Sequence, residues 1–487
     1  MYDHLHGQSN PSQLRRLIFK IFSISTIFSL FLLLRRTSAF VPRSTPASRF
    51  TKDFGMTSTA SLTTSLYADN TLASFLAYIP TSVKLSSDSK YHISIGNEAG
   101  DADSILSSLS LSYVNSLSKK DTCNSADADE ITSLPLVSIN RNDLSLRLDV
   151  MIILEMAGID AEALIFLDDE IFQTVAKDDS IHKEITLVDH NKLRYDLWSL
   201  KNNVVEILDH HQDEGEHESV EGKVRNIAFD GKTALVGSTC TLITERLMEL
   251  ENNSKVDTGL GLVLLSVILL DTMNMSEEAG KGTARDQGAV DFLMRCTNWD
   301  ALEISHETAQ KIYNNSENKS GPPCRNSLYE YLRDSKFDVK FWKSMSPRDA
   351  LRIDYKRFEP SSENASVFGL SSVLLDMSDL MSKDRFYDDA MAYMAEAGIG
   401  LLGVLTMVIV YDKPQRELLL VGEEIRVNSM THFLLHSDAA SFLEMSRAND
   451  DVTIGGGMIA TELKQGNPKG SRKQVAPVML MHVGDKK

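Results

Sequence analysis

Four short apolar runs in the first half of the chain each stop at a polar cluster that carries carboxylates. His92-Ile93-Ser94-Ile95 leads into Gly96-Asn97-Glu98-Ala99-Gly100-Asp101-Ala102-Asp103-Ser104. Leu164 to Leu167 ends at Asp168-Asp169, Ile185 to Val188 at Asp189-His190-Asn191, and Val204 to Leu208 at Asp209-His210-His211. Apolar runs of this length, separated by helical patterns, fit strands of a mainly parallel sheet covered on both faces. They predict an α/β fold. In such sheets ligands bind outside the carboxyl ends of the strands, so acid clusters far apart in sequence are expected to meet there.

Between these runs the helices are legible. Ser104 is the expected N-cap of a helix with Ile105, Leu106, Leu109, Leu111 and Val114 as its apolar positions. Another runs from about Leu144 to Ala157 and stops at Gly158. Gly237-Ser238-Thr239 opens a third, whose N-terminus either holds an anion on free N–H groups or caps itself with Ser238. Gly259 to Leu270 is nearly all apolar, hence a buried helix, and runs straight into Asp271. An acid at that place needs a partner or a cation.

Gly321-Pro322-Pro323 is the expected linker. It divides a first domain over residues 73–320 from a smaller α/β domain over 326–487. In the second, Val367 to Leu375, Leu401 to Tyr411 and Leu418 to Val421 read as strands. Phe386 to Ala397 and His432 to Met445 read as helices.

The 487 residues suit two domains with extensions. A net charge of -18 argues against a general nucleic-acid binder, and no nucleic-acid partner is expected. It leaves room for a phosphate substrate, because bound divalent cations invert the local field. Cys123, Cys240, Cys296 and Cys324 are scattered and form no C-x-x-C, so no disulfide framework or zinc ribbon is indicated. At the N-terminus Arg15, Arg16 and Lys20 precede the apolar run Ile21 to Leu34, and Thr37-Ser38-Ala39 follows, which is a signal-peptide layout over residues 1–39. Residues 40–72 are rich in Ser and Thr and poor in acids, as transit peptides are. Together they resemble two-part plastid presequences. The chain is expected to enter the secretory route and reach a plastid, with secretion or an endomembrane lumen as the alternative. No stable membrane span is expected in the mature protein.

Asp101-x-Asp103, Asp189-His190-Asn191, Asp209-His210-His211 and Asp271 form one constellation. Five or six carboxylate and imidazole ligands at sheet edges suit two octahedral divalent ions, Mn²⁺ or Mg²⁺, rather than a structural zinc. Two adjacent ions lower the pKa of a water between them and clamp the oxygens of an in-line phosphoryl displacement.

The order and wording of these motifs resemble the DHH phosphoesterase family over about residues 90 to 487. Within it they resemble the exopolyphosphatase and prune branch, with family II inorganic pyrophosphatases as near relatives. Asn97 stands where pyrophosphatases usually carry His. Ser471-Arg472-Lys473-Gln474 and Asp354-Tyr355-Lys356 match the phosphate-binding signature of the C-terminal domain of this branch. Asp209-His210-His211 is intact, where animal prune proteins have Asp-His-Arg, and this favours a hydrolase over a scaffold.

The resemblance implies roles position by position. Asp101 and Asp189 hold one ion, and Asp189 bridges to the other, whose shell Asp103, His210 and Asp271 complete. Asn97 replaces an imidazole ligand, which weakens the first site or leaves part of it to water, and is placed on the substrate side. His211 faces the reacting phosphate as acid or hydrogen-bond donor. Lys356, Arg472 and Lys473 clamp phosphate, while His190 and Asp209 orient the ligands. Gly455-Gly456-Gly457 resembles the Gly-Gly-Gly-His of a nucleic-acid-cleaving branch, but Met458 follows it.

These readings converge on an exopolyphosphatase in which a hydroxide bridging two ions attacks the terminal phosphorus of inorganic polyphosphate. A manganese-dependent inorganic pyrophosphatase is the nearest alternative. A nucleotide-directed phosphodiesterase is a weaker one. A prune-like interaction protein with secondary phosphodiesterase activity is the alternative of another class.

Overall fold

The computed structural model describes residues 71–484 except 87, 123–130, 251–254, 314–319, 360–365 and 412. The expected signal peptide and nearly all of the expected transit-like segment lie outside the described residues. Thr71 caps the first described helix, Leu72–Ser82.

The first sheet has six strands, all parallel: β1 (Lys90–Ile95), β2 (Ile131–Val137), β3 (Ile165–Phe166), β4 (His182–Val188), β5 (Val204–Asp209) and β6 (Arg225–Ile227). Their spatial order is β3-β2-β1-β4-β5-β6. The chain winds outward from β1 to β3, then returns to lay β4 on the other side of β1. A crevice opens at that reversal, outside the carboxyl ends of β1 and β4. The register aligns what leaves there. Ile95 pairs with Leu187, and Leu187 with Ile207. Asn97, Asp189 and Asp209, each two residues beyond, therefore emerge side by side.

The helix after β1 spans Ala102–Thr122 and starts earlier than expected. Asp101, not Ser104, takes the cap: its Oδ1 accepts the Ser104 N–H at 3.0 Å. A carboxylate is the stronger acceptor for an orphan N–H, and the Ser104 hydroxyl is spent on Asp189. The segment from Leu144 divides into a 3₁₀ turn, Arg141–Leu146, and a helix, Leu148–Met156. The expected Gly259–Leu270 helix forms as Thr258–Asp271, buried along nearly its whole length.

Helix Arg325–Lys336 follows the Gly321-Pro322-Pro323 stretch and sets Leu328 and Leu332 into the first core. The change of core therefore falls after Lys336. Trp342 is the first fully packed member of the second core.

The second sheet is mixed. Its strands are β7 (Tyr355–Phe358), β8 (Phe368–Val373), β9 (Leu401–Val410), β10 (Lys413–Glu423), β11 (Met445–Arg447), β12 (Val452–Gly455) and β13 (Met458–Gln465), ordered β11-β13-β10-β9-β8-β7, with β12 also on β13. Only β8 and β9 pair in parallel. Alternate residues feed two cores: Leu402, Val404, Leu419 and Val421 one, and Leu401, Leu405, Leu418 and Leu420 the other. Helix Phe386–Ala397 covers the first face, and helices Glu424–His436 and Arg472–Gly484 the second. The fold is α/β, with a parallel-sheet N-terminal domain and a smaller mixed-sheet C-terminal one. Among the described residues no helix is long and apolar enough to cross a membrane.

Candidate metal centre

Asp189 is the hub of the crevice. It leaves β4 with φ of +63°, a left-handed turn that Asp tolerates better than most residues. Its Oδ2 accepts from Ser104 Oγ at 2.7 Å and Asn97 Nδ2 at 2.8 Å. Its Oδ1 lies 3.4 Å from His210 Nε2, 3.6 Å from His211 Nδ1 and 3.3 Å from Thr239 Oγ1. Asp189, His210 and His211 thus offer three ligand atoms within 4.8 Å of one another. Burial by itself raises the Asp189 carboxyl, but His211, His210 and Lys473 outweigh it and hold the group far below the usual carboxylate range.

The two histidines of the triplet are held differently. His210 Nδ1 is 3.0 Å from the Val236 carbonyl. A carbonyl only accepts, so Nδ1 carries a proton, and Nε2 faces the carboxylates of Asp189 and Asp103 at 3.4 and 3.9 Å. Burial and Lys473 push this imidazole down, but Asp189 and Asp103 bring it up to about 9. His211 Nδ1 instead donates to Asp209 Oδ1 at 2.7 Å, and burial with Lys473 lowers it to about 4. Asp209 is fully buried and has no oxygen left for an ion. Oδ1 also takes the His210 and His211 N–H groups, and Oδ2 takes Asn191 Nδ2 at 2.6 Å. His190 turns its Nδ1 to the Val188 carbonyl at 2.9 Å, leaving a buried Nε2 without a partner. Burial pulls it down to about 4.

Asp103 answers the open question about helix Thr239–Glu249. The helix N-terminus holds an anion, and that anion is internal. Thr239 N and Cys240 N donate to Asp103 at 2.8 and 3.2 Å, and Ser238 Oγ at 2.9 Å, while Ser238 also caps Cys240 N. Asp271 closes the crevice from the end of the buried helix. Its Oδ2 is enclosed with no hydrogen-bond partner. Burial, with Asp101 and Asp189 acting against Lys336, pushes its carboxyl up to about 6. Burial, Asp189 and Asp354 raise Asp101 as well. Lys336 sits among these acids, 3.3 Å from Asp149 Oδ2, and their charges overcome burial to hold it protonated.

A metal site fits these residues. Asp101, Asp103, Asp189 and Asp271 crowd one buried crevice, and three of the four are pushed toward protonation. An enclosed carboxylate oxygen without a partner, and an imidazole nitrogen turned into a cluster of carboxylates, match hard divalent cations with mainly oxygen ligands.

Across the crevice stand the cations of the second domain. Arg472 donates Nη1 to the Asp354 carbonyl at 2.7 Å and pairs Nη2 with Asp354 Oδ1 at 2.6 Å. The Lys473 charge reaches Asp189, His210 and His211. Lys356 stands on β7, and its charge reaches Glu98, His190 and Asp354. Asn97 is buried, with Nδ2 on Asp189 and Oδ1 on Ala99 N. Its amide therefore supports the hub. Ser104, Asn191, Thr239, Lys336 and Asp354 complete the arrangement without having been singled out in sequence for these contacts. A lone serine, lysine or asparagine in a helix or turn carries no local signal for such a task.

Comparison with known proteins agrees with this geometry. The DHH family N-terminal domain matches residues 92–268, and the DHHA2 domain matches residues 332–481. The chain belongs to the DHH family. The DHH match holds Asp101, Asp103, Asp189, His210 and His211, with Asp271 just past its end, and the DHHA2 match holds Lys356, Arg472 and Lys473. The "Exopolyphosphatase PRUNE1" of Bos taurus is 26% identical over 397 residues, 80% of this chain and 74% of that protein. The "Putative exopolyphosphatase" of Schizosaccharomyces pombe is 27% identical over 399 residues, 79% of this chain and 89% of that protein. Among solved structures, a putative family II inorganic pyrophosphatase of Methanococcus jannaschii aligns with 80% of this chain and 99% of its own, at 19% identity and a TM-score of 0.46.

Proposed function

We propose that this DHH protein is a metal-dependent exopolyphosphatase that removes terminal phosphate from inorganic polyphosphate. The observation that carries the reading is the pairing of a carboxylate crevice centred on Asp189 with the basic clamp of Lys356, Arg472 and Lys473. The curated relatives named as exopolyphosphatases support the same class. Asp101, Asp103, Asp189, His210 and Asp271 would hold two divalent ions, Mn²⁺ or Mg²⁺, which acidify a water between them and offset phosphoryl charge.

The chain's own groups do the rest. Asp209 fixes the His211 ring and its tautomer. Lys473 and burial keep free His211 neutral, and an incoming phosphate anion works the other way. His211 would face the reacting phosphate as acid or hydrogen-bond donor. Asp354 spends two donors of Arg472 to set the direction of its remaining ones. Lys356 and Lys473 act as point charges on the phosphoryl oxygens.

Cations beyond the clamp favour a chain over pyrophosphate. Arg416 on β10 donates Nε to the Pro468 carbonyl at 2.8 Å, and no carboxylate pairs with it among the described residues. Its charge and that of Lys473 both reach Lys281 on the DHH domain. The double substitution Lys281→Gln with Arg416→Gln is expected to raise KM for long-chain polyphosphate by about tenfold, the loss of two phosphate contacts. KM for pyrophosphate should move less than about twofold by the same argument. Equal loss on both substrates would remove the argument for chain length.

The deciding assay uses protein lacking residues 1–70 with Mn²⁺ or Mg²⁺. Phosphate released from polyphosphate with little from pyrophosphate supports the reading. The reverse preference selects the pyrophosphatase. A folded, metal-loaded sample that hydrolyses neither favours an interaction protein. We also propose delivery to a plastid by residues 1–72. A fluorescent reporter fused to that segment should enter plastids, and its secretion would refute the route.

A further inference from the structure

One buried arginine joins the two domains at the metal loop. Arg147 lies just before helix Leu148–Met156 and is 5% exposed. Its Nη2 donates to the Ala99 carbonyl at 2.7 Å, its Nη1 to the Asp143 carbonyl at 3.0 Å, and its Nε to the Gly100 carbonyl. The same Nη2 reaches the Ile353 carbonyl of the DHHA2 domain at 2.7 Å. The loop is tightly packed where it meets this side chain. Gly100 has φ of +54°, and a Cβ there would lie 2.3 Å from Ile139 Cγ2 and 3.5 Å from Arg147 Nη2.

What the two ends of this contact carry gives it meaning. On the DHH side the gripped loop runs from Asn97, which supports Asp189, to Asp101. On the DHHA2 side, Ile353 is followed by Asp354, which orients Arg472, and then by Lys356. A second tie parallels the first: Glu98 Oε1 accepts the Arg357 N–H at 2.8 Å. A guanidinium bonded only to carbonyls is expensive to bury. Burial does pull it down, against the charges of Asp143, Asp354, Asp149 and Asp101. A planar fork can span carbonyls of two domains at once, and a compact ammonium cannot.

We propose that Arg147 is a positioning residue that holds the Asn97–Asp101 loop in register with the Asp354–Arg472 pair, so that metal ligands and phosphate clamp are built as one unit. The phosphate half of this statement rests on the phosphohydrolase reading, and the metal half stands without it.

The test uses full-length Arg147→Lys, Arg147→Met and Arg352→Met. Arg352 pairs with Asp143 across the same interface without touching the loop. Thermal midpoint, Mn²⁺ affinity by titration calorimetry and orthophosphate affinity are read on folded samples. Arg147→Lys is expected to weaken both affinities by about tenfold, as lost support of ligands does. Arg352→Met should lower the thermal midpoint and leave both affinities within about twofold. A purely structural Arg147 would give the pattern of Arg352. The proposal is overturned if folded Arg147→Lys binds Mn²⁺ as the native chain does, or if Arg352→Met loses affinity equally. Should Arg147→Met fail to fold, Arg147→Lys decides. If the native chain binds Mn²⁺ but no orthophosphate and hydrolyses no polyphosphate, the phosphohydrolase reading fails, and Arg147 is judged on Mn²⁺ alone.

Discussion

Asp189→Asn is expected to lower kcat on tripolyphosphate by about a thousandfold or more, equivalent to roughly 4 kcal/mol of lost transition-state stabilisation. The reason is its position. Both carboxylate oxygens are engaged, Oδ2 by Ser104 and Asn97, Oδ1 by the edges of two imidazoles and a hydroxyl. No other acid in the crevice touches both the loop after β1 and the loop after β5. Asparagine keeps the shape and accepts the left-handed backbone at φ +63°. Alanine would add about 1 kcal/mol of strain there. The expected pattern is therefore a folded protein that melts below the native chain, because the charge that His210 and His211 stabilise is gone, with no measurable phosphate release and fewer Mn²⁺ ions bound on titration. Activity within about tenfold of native would break the assignment of Asp189 as the shared ligand.

The crevice was legible in the sequence because each strand that supplies it ends abruptly in a polar cluster that carries acids. β1, β4 and β5 are apolar runs followed by Asn97, Asp189 and Asp209. Parallel pairing obliges all three to open on one edge. The neighbouring strand β2 was not legible, since Pro135 sits inside it opposite Ser94 and breaks the apolar run. Helix Arg325–Lys336 hid the domain change for a related reason. A Gly-Pro-Pro turn precedes it, but its Leu328 and Leu332 belong to the first core. Lys336 and Arg147 look like ordinary helix charges, and only tertiary folding takes Arg147 to Ile353, 206 residues away. Lys356 lies on β7, a four-residue strand with no residue fully buried and so no alternation to read. Local pattern reveals where a chain must stop being apolar. It does not reveal which distant charge will be brought to that place.

Asp271→Asn is expected to separate stability from activity. The native carboxyl has an enclosed Oδ2 without a partner, and burial raises its pKa from 3.8 to about 6. Between those values the folded chain binds a proton that the unfolded chain does not. Metal-free stability therefore falls as pH rises through that window, by on the order of a few kcal/mol at neutrality. Asparagine carries no such charge. At pH 7.5 the metal-free variant should melt a few degrees above the native chain, and near pH 4 the difference should vanish. Mn²⁺ reverses the order. A ligand at 100 times its Kd stabilises the state that binds it by about 2.7 kcal/mol, and the native chain gains this while the variant gains much less. Phosphate release should fall by at least about a hundredfold, as for loss of a metal ligand or its close support. Asp103 offers the contrast. Its carboxylate accepts from Ser238, Thr239 and Cys240, so removing it strands donors at the start of that helix. An Asp271→Asn chain that melts below the native one without metal, or that Mn²⁺ stabilises as fully, would show that Asp271 is a structural acid and no part of the metal centre.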